Sequence, residues 1–235
     1  RNGEDLYPLL RKRADVTEVY EQDPVRFELF KQLGMFVTES SGHASEYLPY
    51  FRKRPELIEK YCREGYQGQS GFYADNWPDW RAAGDYEIQK HLKRAEKGKK
   101  PRVKLDRSHE YGSDIIEAME FNTPKVIYGN VLNTGLIENL SQEGIVEVPC
   151  LVDKNGIQPS HYGPLPTHLA NLCNQHLAFH DLTITALLTE DREMAVHALM
   201  SDPLSAAVCS LAEIRSMFDE MVEAQKEYLP EFLYK

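Results

Sequence analysis

The segment KVIYGNVLNTGLIENLSQEGIVEVPCLVDKNGIQP, residues 125–159, decides the fold class. Two runs in it, KVIYGNVL and GIVEVPCLVD, are rich in β-branched and apolar residues, a composition typical of strands. The turn sequence DKNG at 153–156 lets the second strand reverse into Ile157–Pro159. The middle of the chain is therefore predicted to form a small β-sheet.

Helical patterns precede this sheet. Asp23 and Pro24 suit the N-cap and first turn of a helix, VRFELFKQL, which Gly34 can close in a left-handed conformation. The residues that follow, MFVTESSGH at 35–43, are predicted to form a strand that runs into a polar loop. Helical periodicity returns at 55–66, 85–97 and 108–121.

The sequence after the sheet is mostly helical. Residues 167–188 place apolar residues and two histidines on one stripe of a helix, and shorter helices are predicted at 195–200, 204–209 and 211–228. The aromatic stretch GFYADNWPDW, residues 71–80, lacks a clear period and is interpreted as an insertion or lid. Mixed helices and strands followed by a helical C-terminal region predict an α+β domain.

Composition narrows the classes of function. The formal charge of −10 and the isoelectric point near 5.3 oppose binding to a phosphate backbone, and the dense basic run at 91–104 fits a solvated helix end. No apolar run approaches the ~20 residues that span a bilayer, and the four cysteines are widely spaced, which suits a reducing cytoplasm. We therefore expect a cytoplasmic protein that binds neither nucleic acid nor membranes. The sequence also contains no GxGxxG or GxxxxGKS/T motif for a nucleotide.

The densest polar cluster is TESSGH, residues 38–43. The Glu39 carboxylate, two hydroxyls and the His43 imidazole could hydrogen-bond several sugar hydroxyls at the end of a strand. The alternative is a helix N-terminus capped by Ser41, with the other side chains solvated.

A second cluster, DRSHEY at 106–111, begins a predicted helix. Tyr111 could act as a general base if a metal ion or Arg107 lowered its pKa from about 10. The alternative is that Ser108 caps the helix and Tyr111 packs.

Two further features have weaker patterns. Asn130 and Asn133 lie at a strand end and offer amides for sugar hydroxyls, although turn formation is the better explanation from the residues alone. His176 and His180 have the four-residue spacing that lets two imidazoles share a metal ion. We favour buried or interface histidines there, because both lie on the apolar stripe.

Five blocks together resemble one known family: RFELFKQLGMFVTESSGHASEYLPYF, SHEYGSDIIEAM, VIYGNVLNTGLIENL, VEVPCLVDKNGIQP and GPLPTHLA. In order and spacing they are similar to the C-terminal half of family 4 glycoside hydrolases of the melibiase type, which are α-galactosidases. The resemblance implies a lactate/malate dehydrogenase-like C-terminal domain over residues 1–235, with the Rossmann domain absent from the chain.

The resemblance also implies a redox mechanism for glycoside cleavage, an exception to the two-carboxylate mechanism. NAD oxidises the sugar at C3, Mn²⁺ stabilises the enediolate, a base removes the C2 proton, and the aglycone is eliminated. Both cofactors are expected to need the N-terminal domain, since the family's metal ligands correspond to positions upstream of residue 1. The chain on its own is therefore expected neither to bind NAD tightly nor to hydrolyse glycosides.

Individual residues can be matched to the family. The resemblance assigns Tyr111 as the C2 base, Asp106 as an acidic residue near it, and Asn130 to an NV-x-N segment at the sugar. The block with Glu39 and His43 matches a part expected near the substrate.

Leu132 departs from the arginine or proline of relatives, which puts one substrate contact in doubt. Family members also imply a homodimer or homotetramer, for which the apolar helix at 211–228 could supply a surface.

Three other functions stay open at this point. An α-galacturonidase of the same family would need a basic residue near the sugar C6. A noncatalytic carbohydrate-binding or oligomerisation module would bind sugar without cofactors. A relative in the dehydrogenase superfamily would only oxidise a hydroxyl, and Tyr111 argues against it because hydride transfer needs no C2 base.

Overall fold

The structure, a computed structural model, describes residues 3–63, 68, 72–99, 107 and 110–235, with side chains from 76 onward in the third of these ranges. The chain forms two compact units. Unit 1 comprises residues 1–80 and 178–235, and unit 2 comprises residues 81–177. Each unit has a hydrophobic core of its own.

The elements follow one another along the chain as α1 (Tyr7–Ala14), α2 (Thr17–Tyr20), α3 (Pro24–Leu33), α4 (Ser41–Tyr47), α5 (Pro55–Tyr61), α6 (Phe72–Glu96), α7 (Gly112–Phe121), β1 (Lys125–Leu132), β2 (Ile145–Asp153), β3 (Gly156–Pro159), α8 (Thr167–Thr189), α9 (Arg192–Ser201), α10 (Pro203–Val208) and α11 (Leu211–Ala224). Two 3₁₀ turns, Lys226–Tyr228 and Glu231–Leu233, come after α11. The predicted α+β class, with a helical C-terminal region, is confirmed.

The sheet in unit 2 is antiparallel, in the order β1-β2-β3. The predicted hairpin is confirmed: Asp153 pairs with Gly156, whose φ of 102° is left-handed. Every second residue of β2 is buried, as a sheet with one covered face requires. Helix α7 contributes Ala118 to the core beneath this face, together with Ile127, Val146, Val148, Cys150 and Val152.

In unit 1, the predicted helix is confirmed as α3, with Asp23 at the N-cap position and Gly34 at φ 80° after its end. The Asp23 carboxylate does not cap the helix; it accepts hydrogen bonds from Arg26 Nη1 at 2.8 Å and from the Ser41 hydroxyl. The buried face of α3 includes Val25 and Phe30, which belong to two separate core clusters.

The predicted strand at 35–43 is wrong. No strand forms there, and α4 starts at Ser41. Ser40 explains the helix, because its hydroxyl accepts a hydrogen bond from the His43 backbone N–H at 3.2 Å. The apolar residue Phe36 instead packs edge-on against Phe30, with ring centroids 5.7 Å apart.

Residues 72–80 of the aromatic stretch are helical, since α6 runs from Phe72 through Pro78 to Glu96, and the helix predicted at 85–97 is its later part. The interpretation of the stretch as an insertion or lid stays a prediction. The pattern lacks a helical period because the helix has no buried face from Trp77 onward.

The apolar stripe predicted on α8 does not form a buried face. Cys173, His180, Ile184 and Leu187 are exposed, and the fully buried α8 residues are the small Ala170 and Ala186. Small residues allow close packing, whereas the sequence pattern weighted the larger side chains. Among the described residues, no helix is both long and apolar enough to cross a membrane.

Candidate functional site

Glu39 and His43 form a hydrogen-bonded pair at the start of α4. Their Oε1 and Nδ1 atoms lie 3.1 Å apart, and the side chains are 44% and 38% exposed. Ser40, not Ser41, caps the helix, and its backbone N–H donates to Glu39 Oε1 at 2.7 Å. The His43 ring stacks on Tyr47, with centroids 5.9 Å apart and planes 20° apart. The Glu39 carboxylate, the His43 imidazole and the Tyr47 phenol ring therefore lie side by side in this order.

The surroundings of Glu39 favour its ionised carboxylate. Burial pushes the pKa of Glu39 upward, but hydrogen bonds from Ser40 and His43 outweigh it, so the net pKa lies below its ordinary value. At neutral pH Glu39 therefore accepts hydrogen bonds and repels anions.

Arg52 holds α4 in place, a role that no sequence pattern indicated. Its Nε donates to the buried Ser45 hydroxyl at 3.0 Å, and its Nη2 donates to the Gly68 carbonyl at 2.8 Å. Gly68 has φ 97°, and a Cβ added there would lie 2.8 Å from Arg52 Nη2. The arginine thus fills a space that only glycine leaves open.

Tyr111 occupies the N-cap position of α7 in unit 2 and is 43% exposed. The expected partner Arg107 instead donates to Asp114 at 2.9 Å and to Glu117 at 2.7 Å. This pairing lowers the pKa of Glu117, because the guanidinium of Arg107 favours the ionised carboxylate. Asp106 and Ser108 lie outside the described residues.

Asn130 and Asn133 have opposite surroundings. Asn130 is exposed on β1, opposite Glu147. Asn133 is 0% exposed, and its amide nitrogen donates to the carbonyls of Ile137, Leu140 and Ser141 at 3.0 to 3.2 Å. Its oxygen accepts from the Ile137 N–H at 2.9 Å. This geometry favours the turn-forming alternative for Asn133 and leaves its predicted contact with a sugar without support.

The structure thus brings Glu39 and His43 together in unit 1, and places Tyr111, Asn130 and Asn133 in unit 2. Within the part of the chain that the structure describes, no group of three His, Cys, Asp or Glu side chains could hold a metal ion.

An apolar cavity of about 300 Å³ lies among the C-terminal helices of unit 1. It is lined by residues of α8, α9, α11 and the last turns of the chain, including Phe179, Leu199, Phe218 and Leu233. None of the predicted site residues lines it.

Comparison with known proteins identifies the family of the chain. The model of the family 4 glycosyl hydrolase C-terminal domain matches residues 1–205. An α-galactosidase of Bacillus subtilis (strain 168) is 40% identical over 99% of this chain and 52% of that protein. An α-galactosidase of Rhizobium meliloti (strain 1021) is 34% identical over 91% of this chain and 44% of that protein. An α-galacturonidase of Lachnoclostridium phytofermentans is 26% identical over 88% of this chain and 42% of that protein.

Solved structures share the fold. The crystal structure of lplD from Bacillus subtilis matches with a TM-score of 0.73 and 23% identity, over 94% of this chain and 51% of that one. A 6-phospho-α-glucosidase from gut microorganisms, in complex with NAD and Mn²⁺, matches with a TM-score of 0.67 and 18% identity, over 98% of this chain and 51% of that one. The chain spans about half the length of the relatives it matches. It belongs to glycoside hydrolase family 4, whose C-terminal domain it contains.

Proposed function

We propose that this chain forms the C-terminal, substrate-binding part of an α-galactosidase that uses NAD and Mn²⁺. The observation that carries the proposal is the 40% identity to an α-galactosidase over 99% of the chain. The α-galacturonidase is only 26% identical over a similar span.

The charge of the Glu39–His43 pair supports a neutral sugar. An ionised carboxylate accepts hydrogen bonds from the hydroxyls of a galactoside, whereas it repels the C6 carboxylate of a galacturonide. The α-galacturonidase alternative needs a cation at C6, and Arg52 beside α4 is already bound to Ser45 and Gly68.

Tyr111 is the proposed base that removes the sugar C2 proton. Its exposed position at the start of α7 leaves the hydroxyl accessible to a substrate. A tyrosine hydroxyl must lose its proton to act as a base, so a cation outside the described residues has to stabilise the phenolate. Asp106 is proposed as an acidic residue near it.

The described residues do not fit Mn²⁺, because they include no group of three potential ligands. They also include no glycine-rich nucleotide loop. The related 6-phospho-α-glucosidase structure contains both NAD and Mn²⁺. We propose that residues other than the described ones hold both cofactors. We also propose that the protein forms a homodimer or homotetramer, as the resemblance to the family implies.

The test is hydrolysis of p-nitrophenyl α-galactoside by the protein whose reading frame contains this chain, supplied with NAD, Mn²⁺ and a reductant. Tyr111→Phe should lower kcat by about 10²- to 10⁴-fold, the usual contribution of a positioned general base. The matched control is Tyr162→Phe, which removes the hydroxyl of another exposed tyrosine of unit 2 and should leave kcat unchanged.

Two results would contradict the proposal. Hydrolysis that does not need NAD would exclude the redox mechanism, and full activity of Tyr111→Phe would exclude Tyr111 as the base. Faster cleavage of the α-galacturonide than of the α-galactoside would favour the alternative substrate.

A further inference from the structure

The outer face of the sheet in unit 2 carries a polar pair within an apolar surface. Asn130 of β1 stands directly opposite Glu147 of β2, and both side chains are exposed. The flanking cross-strand pairs are Val126 with Leu151, Tyr128 with Pro149, and Leu132 with Ile145. Because side chains alternate along a strand, all eight side chains share this face.

The polar groups of this face have unused hydrogen-bonding capacity. Within the described residues, the Asn130 amide, the Glu147 carboxylate and the Tyr128 hydroxyl have no hydrogen-bond partner. An amide both donates and accepts, and a carboxylate accepts from two or more hydroxyls. Directly opposite residues hold their Cβ atoms about 5 Å apart, so both groups can contact one small polyol.

The chemistry of the face distinguishes between occupants. Covering it with the apolar surface of another protein would bury the Glu147 carboxylate without a partner, which is strongly unfavourable for a charged group. A twofold contact between two copies would also place like charges on one patch. A pyranose ring satisfies the carboxylate through hydroxyls and covers the 58% exposed Tyr128 ring with its C–H groups.

We propose that Glu147 is a substrate-binding residue, which accepts hydrogen bonds from hydroxyls of the galactosyl ring beside Asn130, while Tyr128 stacks on the ring. The inference rests on the proposed function and on the predicted contact between Asn130 and the sugar. It adds two residues, Glu147 and Tyr128, that the sequence patterns did not single out.

The experiment measures KM and kcat for p-nitrophenyl α-galactoside with the same protein and cofactors. Glu147→Ala should raise KM about tenfold with kcat changed less than twofold, since a hydrogen bond to a charged group binds substrate and transition state alike. Glu147→Gln, which keeps an acceptor, should raise KM less. Glu143→Ala removes an equal charge from the exposed loop before β2 and should leave both constants unchanged.

Tyr128→Ser should also raise KM, and light scattering on the same variants should show an unchanged molar mass. An unchanged KM in Glu147→Ala, with active wild-type protein, would overturn the inference and leave the proposed function intact. A molar mass that falls in Tyr128→Ser while KM stays constant would overturn it as well, because the face would then be an interface between copies. Wild-type protein without α-galactosidase activity would instead refute the proposed function.

Discussion

The loop after β1 and the start of α4 both place polar side chains against nearby backbone, in opposite surroundings. Asn133 is fully buried and spends its amide on four backbone groups of its own loop. Glu39 and His43 are more than a third exposed and bond mainly to each other and to Ser40. Buried hydrogen bonds of this kind hold a fold, because losing one leaves unpaired groups, whereas exposed ones can be exchanged for a ligand.

The largest test of this contrast is Asn133→Ala. Removing the amide leaves buried carbonyls and one N–H without partners, so we expect the free energy of unfolding to fall by about 3 kcal/mol. Urea unfolding followed by circular dichroism measures it. The matched control, Asn130→Ala, changes the same side chain three residues earlier on the exposed face and should shift stability by less than about 0.5 kcal/mol. Equal losses of stability in the two variants would contradict a stabilising role specific to the buried Asn133 amide.

A smaller effect is expected at the start of α4. Ser40→Ala removes the hydroxyl that accepts the His43 N–H at 3.2 Å, and should cost about 1 kcal/mol, the usual value of an N-cap. Ser40→Asp keeps a capping oxygen and should retain most of the stability. Thermal unfolding of the three proteins measures the differences in stability. An alanine variant as stable as wild type would mean that Arg52, rather than the cap, fixes α4.

The smallest effect concerns pH. Because the pKa of Glu39 is lowered in the folded state, its contribution to stability is present above the unfolded pKa and is lost as pH falls through the folded pKa. Glu39→Gln should therefore lower stability slightly at pH 7 and by less at pH 3. Denaturant unfolding at both pH values measures the difference, which should be small because the carboxylate is half exposed. A constant difference would show that the hydrogen bonds from Ser40 and His43 do not favour the charged form.

Sequence patterns predicted the regular parts of the fold and missed those that depend on distant contacts. The hairpin at Asp153–Gly156 and the ends of α3 follow from local turn and cap residues, and both were predicted correctly. The start of α4 was predicted only as the alternative to a strand end, with Ser41 rather than Ser40 as the cap, because a β-branched and aromatic run precedes it. The first part of α6 was missed because the aromatic stretch at 71–80 has no clear helical period, whereas the second part was predicted at 85–97.

The candidate site was predictable to a lesser degree. The family resemblance brought Glu39 and His43 forward as a pair, and the structure places them in contact. It could not separate Asn130 from Asn133, because the difference depends on where β1 ends. Asn130 lies on the exposed face of the strand, and Asn133 lies buried in the loop after it. Arg52 and Glu147 were missed because the residues beside them, Gly68 and Asn130, are distant in sequence.

Among the described residues, β1 is an edge strand of the three-stranded sheet, which affects aggregation of newly synthesised chains. One side of this eight-residue strand presents backbone N–H and C=O groups away from β2, and its only charged residue is Lys125 at the start. Such an edge is a template for a strand from another molecule. Until the edge is covered, newly made chains compete between folding and strand-to-strand aggregation, and dilution or rapid covering of β1 favours the native protein.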